Sequence, residues 1–166
     1  HEGMIQAPAP SIRPLTAADH SAWIGLRQAL WLGSDATTLA AEAGTLLSEP
    51  ERFGALRYAV LLAVAGARPI GFIEVSLRDD LAALAGKTVG YVEGVYVTPP
   101  HQRRGLGRAL IEAAVAWTRA QGAVDLVSDV LVGNDASVDF HHRVGFVISG
   151  EGGRGAERQM LLVRRV

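Results

Sequence analysis

The sequence has no cysteine among its 166 residues. This absence excludes disulfide bridges, thiolate zinc sites and a cysteine nucleophile. No run reaches the ~18 consecutive apolar residues that a membrane-spanning helix requires, and no basic stretch followed by an apolar one precedes the folded part. The net charge of −1 disfavours general binding to nucleic acids or anionic membranes. We therefore expect a cytoplasmic protein whose partners are neither nucleic acids nor membranes.

Length and composition indicate one domain. The chain is long enough for one well-buried core and short for two. Its 49% hydrophobic and 20% charged residues are typical of an ordinary globular protein. Residues 1–10 contain prolines without periodicity and are predicted to be a flexible lead-in. Met4 could be the native start, with residues 1–3 a non-native addition, and residues 11–166 are predicted to form the single domain.

Apolar periodicity predicts the element order β-α-α-β-β-β-α-β-α-β-β. This order indicates an α/β fold, an α+β mixed sheet of about seven strands with about four helices on its faces. Strands are expected at 11–16, 57–65, 70–77, 89–97, 124–130, 146–148 and 159–163. Helices are expected at about 19–33, 35–49, 106–121 and 136–143, and a mobile glycine-rich loop at 150–155.

The stretch 89–120 is predicted to form an anion-binding turn. A strand rich in β-branched and aromatic residues leads through a turn and Gln102-Arg103-Arg104-Gly105-Leu106-Gly107 into an amphipathic helix. Free backbone N–H groups at a helix start attract anions, and glycine lets a ligand approach the backbone closely. Arg103, Arg104 and Arg108 add positive charge. A nucleotide, a sulfate or a plain solvated turn would each be compatible with this pattern.

Two common phosphate motifs do not match this turn. A dinucleotide-binding turn carries a third glycine and lies near the start of its βαβ unit, whereas this one follows three antiparallel-looking strands. A P-loop requires Gly-Lys-Ser/Thr, which the turn lacks.

The turn and a later segment together resemble the GCN5-related N-acetyltransferase (GNAT) superfamily. Residues 102–107 follow a Val-Tyr-Val-Thr-Pro strand end and match its acyl-CoA signature, Gln/Arg-x-x-Gly-x-Gly/Ala. Asn134, followed eleven residues later by Gly145-Phe146, matches its second conserved segment. The resemblance spans residues 12–163 and implies the GNAT acyl-CoA N-acyltransferase fold with acetyl-CoA as co-substrate.

This resemblance also implies where acetyl-CoA binds. The backbone amides of the turn would hold the pyrophosphate, and the preceding strand would pair with the pantetheine where a bulge parts it from the next strand. The implied cofactor-binding residues are Val95, Tyr96, Val97, Gln102, Arg103, Arg104, Gly105, Leu106, Gly107, Arg108 and Asn134.

A narrower resemblance is to the aminoglycoside 6′-N-acetyltransferases of this superfamily. It rests on residues 30–33, 76–80, 92–97, 127–129 and His141. It implies acetylation of the 6′-amine of aminoglycoside antibiotics, and hence resistance, by direct attack in a ternary complex. His141 stands where many superfamily members have the tyrosine that protonates the departing thiolate. Such enzymes are often homodimers, and apolar final strands such as 160–163 could pair between subunits.

The chemistry of amine acetylation suggests the remaining candidates. It needs an unprotonated amine, a polarised thioester carbonyl and a proton for the leaving thiolate, but no metal. Backbone N–H groups near Val97 are natural oxyanion donors. Glu93 and Asp129 are candidate catalytic residues that would position the ammonium or accept its proton, with His141 as the acid. A polycationic acceptor favours a carboxylate-lined pocket, for which the candidates are Glu74, Asp79, Asp80, Glu93 and Asp129, with Trp31 packing on a sugar face.

Each candidate also has an ordinary structural interpretation. Glu93 and Asp129 could be buried hydrogen-bonding groups, and a period-2 strand could expose Glu74 to solvent. Asp79 and Asp80 could cap a turn. Trp31 could belong to the core. His141 could occupy a solvated helix position, or its neighbour His142 could take the proposed role instead.

Two rival functions share the same fold. One is acetylation of another amine, such as a protein N-terminus, a lysine, a polyamine or an amino acid. The other is a non-catalytic module that binds acyl-CoA without transferring the acyl group.

Overall fold

The computed structural model describes residues 9–152 and 158–166. The strands are β1 (Ser11–Pro14), β2 (Arg57–Ala65), β3 (Arg68–Arg78), β4 (Val89–Val97), β5 (Asp125–Leu131), β6 (Val147–Glu151) and β7 (Gln159–Arg165). The helices are α1 (His20–Leu30), α2 (Ala36–Ser48), α3 (Leu106–Ala120) and α4 (Asp135–Arg143).

The strands form one mixed sheet in the order β1-β2-β3-β4-β5-β7-β6. The pair β4–β5 is parallel, and the other neighbouring pairs are antiparallel. The predicted α/β class, with seven strands and four helices in the described residues, is therefore confirmed.

The helices cover both faces of the sheet. Trp23 and Leu26 of α1 and Ala43 of α2 pack with Phe72 of β3 in one buried cluster. The amphipathic helix predicted after the glycine motif packs on the other face as α3, where Leu106, Leu110, Ile111 and Ala114 meet Ile73 and Val75 of β3. The side chains that alternate along β3 therefore belong to two different cores.

Helix starts and ends follow local chemistry. Asp35 caps α2, because its carboxylate accepts a hydrogen bond from the Thr38 backbone N–H at 3.1 Å. Helix α1 was expected to continue to about Gly33, but it ends at Leu30. Trp31, with φ −105° and ψ 67°, already lies outside the helix. The direction of its side chain is therefore set by this non-helical backbone conformation and not by the helix.

Strand β4 separates from β5 after its third residue, Tyr91. The pairing of the two strands consists of Gly90 with Leu126 and Tyr91 with Val127. On its other edge, β4 carries a bulge, because Glu74 and Val75 of β3 face Gly94 and Val92, which leaves Glu93 as the extra residue. The bulge implied by the family resemblance is therefore at Glu93.

The C-terminal hairpin differs from the expectation in two respects. Gly150 and Glu151 belong to β6, so the predicted loop at 150–155 begins later, and its residues 153–155 lie outside the described residues. Strand β7 lies between β5 and β6. Residues 160–163 are therefore paired on both sides within the chain, and the open edge at this end is β6.

In the parts of the chain that the structure describes, every helix is too short or too polar to cross a lipid bilayer.

Candidate active site

A cavity of about 800 Å³ lies between the end of β4, the start of α3 and helix α4. Arg103, Arg108 and Arg143 line it together with His101, and none of the described residues on its wall is acidic. The remaining lining residues are Val95, Tyr96, Val97, Gln102, Gly105, Gly107, Ala136, Ser137, Phe140, His141 and Val144. The cavity therefore combines an apolar strand edge with a cationic end.

The cationic end is built by the turn that enters α3. Gly105 has φ +82° and Arg103 has φ +61°, a left-handed conformation that is uncommon for a residue other than glycine. The first N–H groups of α3 have no intrahelical acceptor and lie beside these residues. A Cβ at Gly107 would lie 3.2 Å from the Phe140 ring, so glycine allows α3 and α4 to approach closely. This arrangement suits a phosphate group.

Most of the predicted cofactor-binding residues line this cavity, and three do not. Arg104 is exposed, Leu106 is buried in the core, and the Asn134 side chain caps α4 by accepting from the Ser137 backbone N–H at 3.2 Å. Gln102 lines the cavity, but its Nε2 also donates to the Val97 carbonyl oxygen at 2.8 Å, which ties the turn to the end of β4.

The sequence reasoning missed several residues on the cavity wall, among them His101 and Arg143. His101 immediately precedes the glycine motif and is held by Thr98, whose Oγ1 lies 3.0 Å from its Nδ1. Arg143 lies on α4, and its carbonyl oxygen accepts a hydrogen bond from Arg108 at 2.9 Å. The sequence did contain a signal for both residues, because each is a basic residue next to one of the two family motifs.

His141 is buried, with 3% of its surface exposed. Its Nδ1 lies 2.7 Å from the carbonyl oxygen of Ser137, which can only accept, so Nδ1 carries the proton of the neutral ring. Nε2 then accepts from the hydroxyl of Ser128 at 2.9 Å. Desolvation by burial lowers the pKa of His141. An acid role would require the doubly protonated ring, which burial disfavours, and this role stays a prediction.

A second cavity of about 260 Å³ lies between α1, α2 and the strands β3 and β4. Its charged lining consists of the carboxylates of Glu42, Glu74 and Glu93 and the guanidiniums of Arg27 and Arg78. The other lining residues are Trp31, Ser34, Leu39, Leu46, Phe53 and Tyr58. The three carboxylates outnumber the two guanidiniums, so the cavity lining carries a small net negative charge.

Glu74 is fully buried and surrounded by donors. Its carboxylate accepts from Trp23 Nε1 at 2.9 Å, from Arg27 Nη1 at 2.5 and 2.6 Å, and from the Tyr58 hydroxyl. Burial, followed by the nearby carboxylates of Glu74 and Glu93, raises the pKa of Tyr58. These four contacts hold the Glu74 carboxylate in place at the floor of the cavity. Direct binding of an acceptor by Glu74 stays a prediction.

Glu93 belongs to a second network, centred on Arg78. Its Oε2 accepts from Arg78 Nε and from Ser76 Oγ, both at 2.6 Å. Arg78 Nη1 reaches the Asp80 carboxylate at 3.2 Å, and Asp80 is exposed, as is Asp79. Glu93 and Asp80 therefore meet a buried cation rather than forming a purely negative lining.

Trp31 packs closely against β4 and Arg27. A Cβ at Gly94 would lie 2.7 Å from the indole, and the Arg27 guanidinium carbon lies 4.7 Å from the Trp31 ring centroid, a cation–π distance. The indole also meets the Phe72 ring edge-on, with centroids 6.1 Å apart. Trp31 remains half-buried and lines the second cavity, so part of its ring is available to a ligand.

Asp129 lies beside the point where β4 and β5 part. Tyr91 and Val127 are the last paired residues, so Glu93 and Asp129 each follow them by two positions and point to the same face of the sheet. The Asp129 carboxylate accepts from the Tyr91 hydroxyl and from Gln159 Nε2 at 3.3 Å. Ser128, one residue earlier, points to the opposite face and reaches His141.

Among residues 9–152 and 158–166, no group of three or more histidine, aspartate or glutamate side chains is arranged to hold a metal ion.

The fold and the two cavities define a class of protein. A parallel strand pair parts in mid-sheet, with a cationic cavity on one side and an acid-bearing cavity on the other. The chain belongs to the acetyltransferase (GNAT) family, whose model matches residues 23–146, and the resemblance stated from the sequence is confirmed.

Proteins similar to this chain include two named aminoglycoside N(6′)-acetyltransferase type 1. The relative from Stenotrophomonas maltophilia is 40% identical over 141 residues, which are 84% of this chain and 88% of that protein. The relative from Klebsiella aerogenes is 34% identical over 139 residues, or 83% and 90% of the two chains.

Solved structures agree with this relationship. An aminoglycoside antibiotic 6′-N-acetyltransferase from Acinetobacter haemolyticus superposes with a TM-score of 0.76 at 27% identity, covering 89% of this chain and 97% of that chain. The aminoglycoside N-acetyltransferase AAC(6′)-Iy in complex with CoA gives a TM-score of 0.77 at 27% identity, covering 92% and 95%.

Proposed function

We propose that this protein transfers an acetyl group from acetyl-CoA to the 6′-amine of aminoglycoside antibiotics. One observation carries the proposal: the bulged, parting half of β4 separates a cationic cavity from a smaller cavity lined with carboxylates. The relationship to aminoglycoside 6′-N-acetyltransferases supports the same substrate pair. The reaction would give the cell resistance to these antibiotics.

The larger cavity is the proposed acetyl-CoA site. Its cationic end, with Arg103 and Arg108, would bind the phosphates, and the first N–H groups of α3 would add hydrogen bonds. The half-buried edge formed by Val95, Tyr96 and Val97 would accept the pantetheine, since β4 has already left β5 there. Bound acetyl-CoA would supply the acetyl thioester that serves as acyl donor.

The residues at the strand split would then direct the transfer. Glu93 or Asp129 would hold the acceptor ammonium and take its proton, directly or through a water molecule. The free amine attacks the thioester carbonyl, so that a C–N bond forms and the C–S bond breaks. The attacking nitrogen would release its extra proton to water, and the departing CoA thiolate would take a proton from His141 or from water. Backbone N–H groups near Val97 would stabilise the oxyanion. No covalent enzyme intermediate is needed.

The smaller cavity is the proposed acceptor site. Its volume of about 260 Å³ suits one amino-sugar ring rather than a whole antibiotic. The half-buried face of Trp31 would pack on that ring, while the surplus of carboxylates would attract its ammonium groups. Asp79 and Asp80, exposed next to Arg78, would face the remaining rings.

The deciding experiment is an assay of CoA-thiol release over a panel of amines, with mass analysis of the product. The panel pairs an aminoglycoside carrying a 6′-amine with its 6′-hydroxyl counterpart, and adds a polyamine and a lysine peptide. We expect monoacetylation of the 6′-amine compound only. Turnover of the polyamine or the peptide without any aminoglycoside turnover would replace this function with acetylation of another amine.

The proposal extends to cellular location and assembly. A cytoplasmic enzyme would have access to acetyl-CoA and to antibiotic that has entered the cell.

All five residues of the edge strand β6 are exposed, among them Val147 at 63% and Ile148 at 46%. An open apolar edge of this kind favours pairing with a second copy. Light scattering of the purified protein would show a dimer, and a monomer would contradict the assembly.

A further inference from the structure

The three carboxylates of the smaller cavity differ in how fully their oxygens are engaged. Glu74 is buried completely and accepts from three side chains. The Glu93 side chain is 12% exposed, with two contacts of 2.6 Å. The Glu42 side chain is 40% exposed, and its contact within the described residues is a single 3.4 Å approach to Arg27 Nη2.

The contact between Glu42 and Arg27 is weak. A distance of 3.4 Å lies beyond the usual range for an N–H···O bond. Arg27 is already committed to Glu74 through Nη1, at 2.5 and 2.6 Å. The Glu42 carboxylate therefore keeps most of its capacity to accept hydrogen bonds.

Glu42 nevertheless points to the cavity rather than away from it. On α2, residues 39, 42 and 46 follow the spacing of one helix face, and Leu39, Glu42 and Leu46 all line the cavity. Glu93, on β4, lies on the strand side of the same cavity. The two carboxylates thus approach the cavity from different elements, with Trp31 also on its wall.

We propose that Glu42 is a specificity-determining residue that binds a second ammonium group of the acceptor, distinct from the amine that is acetylated. This inference rests on the proposed function, because it assumes that the acceptor occupies the smaller cavity. Glu93 stays engaged by Arg78 at the strand split, whereas Glu42 exchanges its weak contact for a charge-assisted hydrogen bond to the ligand. Acceptors with several ammonium groups gain from this bond, and monoamines do not.

The test compares Glu42→Gln with Glu49→Gln in steady-state kinetics. Glu49 follows the same helix, is exposed, lies outside the cavity and contacts Arg52 at 3.5 Å, so it is a matched control. For an aminoglycoside with several ammonium groups, Glu42→Gln should raise the acceptor KM about tenfold, as expected for one lost charge-assisted hydrogen bond. The kcat and the acetyl-CoA KM should not change.

Four further readouts separate ligand binding from a structural role. A monoamine acceptor, 6-amino-6-deoxyglucose, should show the same KM with both variants. The tenfold effect should shrink as salt is added. Glu42→Asp should recover part of the affinity, and the thermal unfolding temperatures of all variants should agree with the wild type.

Two outcomes would overturn the role of Glu42. One is an acceptor KM for Glu42→Gln equal to that of Glu49→Gln, and the other is an equal rise for the monoamine and the aminoglycoside. Wild-type protein that acetylates only other amines would instead overturn the proposed function. The same pair of variants, assayed on the multiply charged member of those amines and on its monoamine counterpart, would still decide the role of Glu42.

Discussion

Arg78 Nε donates to Glu93 Oε2 at 2.6 Å, and the Arg78 side chain is only 1% exposed. Nη1 of the same guanidinium donates to the Phe53 carbonyl oxygen at 2.9 Å. Gly54, with φ +78°, allows this approach, since a Cβ there would lie 3.1 Å from Arg78 Nη1 and 2.6 Å from Asp80. One buried cation thus joins the carboxylate at the β4 bulge to the turn after α2.

Replacing Arg78 by Met should destabilise the protein and misplace Glu93. Removing one partner of a buried ion pair leaves an uncompensated charge, at a cost of about 3 kcal/mol. The acceptor KM should rise because Glu93 loses its fixed orientation, and Arg78→Lys should recover only part of it, since an ammonium lacks the planar fork. Urea unfolding and acceptor kinetics measure both effects. Arg52→Met, at an exposed position, is the control, and wild-type values for Arg78→Met would refute the role of this pair.

Replacing Asp129 by Asn should lower kcat/KM for the acceptor by about 100-fold, the scale expected for losing a general base. Tyr91→Phe should cause a smaller loss of about tenfold, because Asp129 then lacks the hydroxyl that holds it. The acetyl-CoA KM should stay constant in both variants.

The control for Asp129 is Asp125→Asn on the same strand. Asp125 pairs with Lys87 at the start of β5, before the residues Leu126 and Val127 that pair with β4, so its variant should keep wild-type turnover. Asp129→Asn kinetics matching those of Asp125→Asn would remove Asp129 from the catalytic site.

His141→Gln should make the stability less dependent on pH. Burial lowers the pKa of His141 below its ordinary value of 6.5, so below that pH the unfolded chain binds the proton more readily than the folded one. The contribution of the neutral ring is complete above about pH 6.5 and is lost as pH falls through the folded pKa. Wild-type protein should therefore lose more unfolding free energy between pH 7.5 and 5 than His141→Gln does.

The exposed neighbour His142 provides the control for this experiment. His142→Gln should retain most of the wild-type pH dependence, because repulsion from His142 is the smallest of the causes that shift the pKa of His141. Kinetics of the same variants address the acid role. A large loss of kcat in His141→Gln alone would support proton donation by His141, whereas unchanged kcat would leave it a hydrogen-bonding partner of Ser128.

Gly94→Ala should disturb the acceptor cavity through Trp31. The added Cβ would lie 2.7 Å from the indole and 2.9 Å from Leu30 Cδ2, so the ring must move, at a cost of about 1–3 kcal/mol for overpacking. We expect a lower unfolding temperature and a higher acceptor KM, with the acetyl-CoA KM retained. Gly33→Ala, which meets no atom within 4 Å, should match the wild type. An unchanged acceptor KM in Gly94→Ala would show that Trp31 does not take part in acceptor binding.

The sequence by itself determined the secondary-structure elements and the glycine-containing turn into α3, because the information for both is local. Apolar periodicity defines the strands and helices. Gly105 supplies the left-handed backbone conformation that the turn into α3 requires. The motif that carries this glycine, with the later Asn134 segment, was sufficient to indicate the family that the comparisons confirm.

Only the tertiary structure decided which partners the charged residues contact, because those partners are distant in sequence. Glu74 meets Arg27, 47 residues away, and Glu93 meets Arg78, 15 residues away, through strand register and helix packing that no local pattern encodes. For the same reason, the sequence pointed to five candidate acids but missed Glu42. In a sequence, a helical glutamate that faces a cavity cannot be distinguished from one that faces solvent, because the packing of the helix decides which way the side chain points.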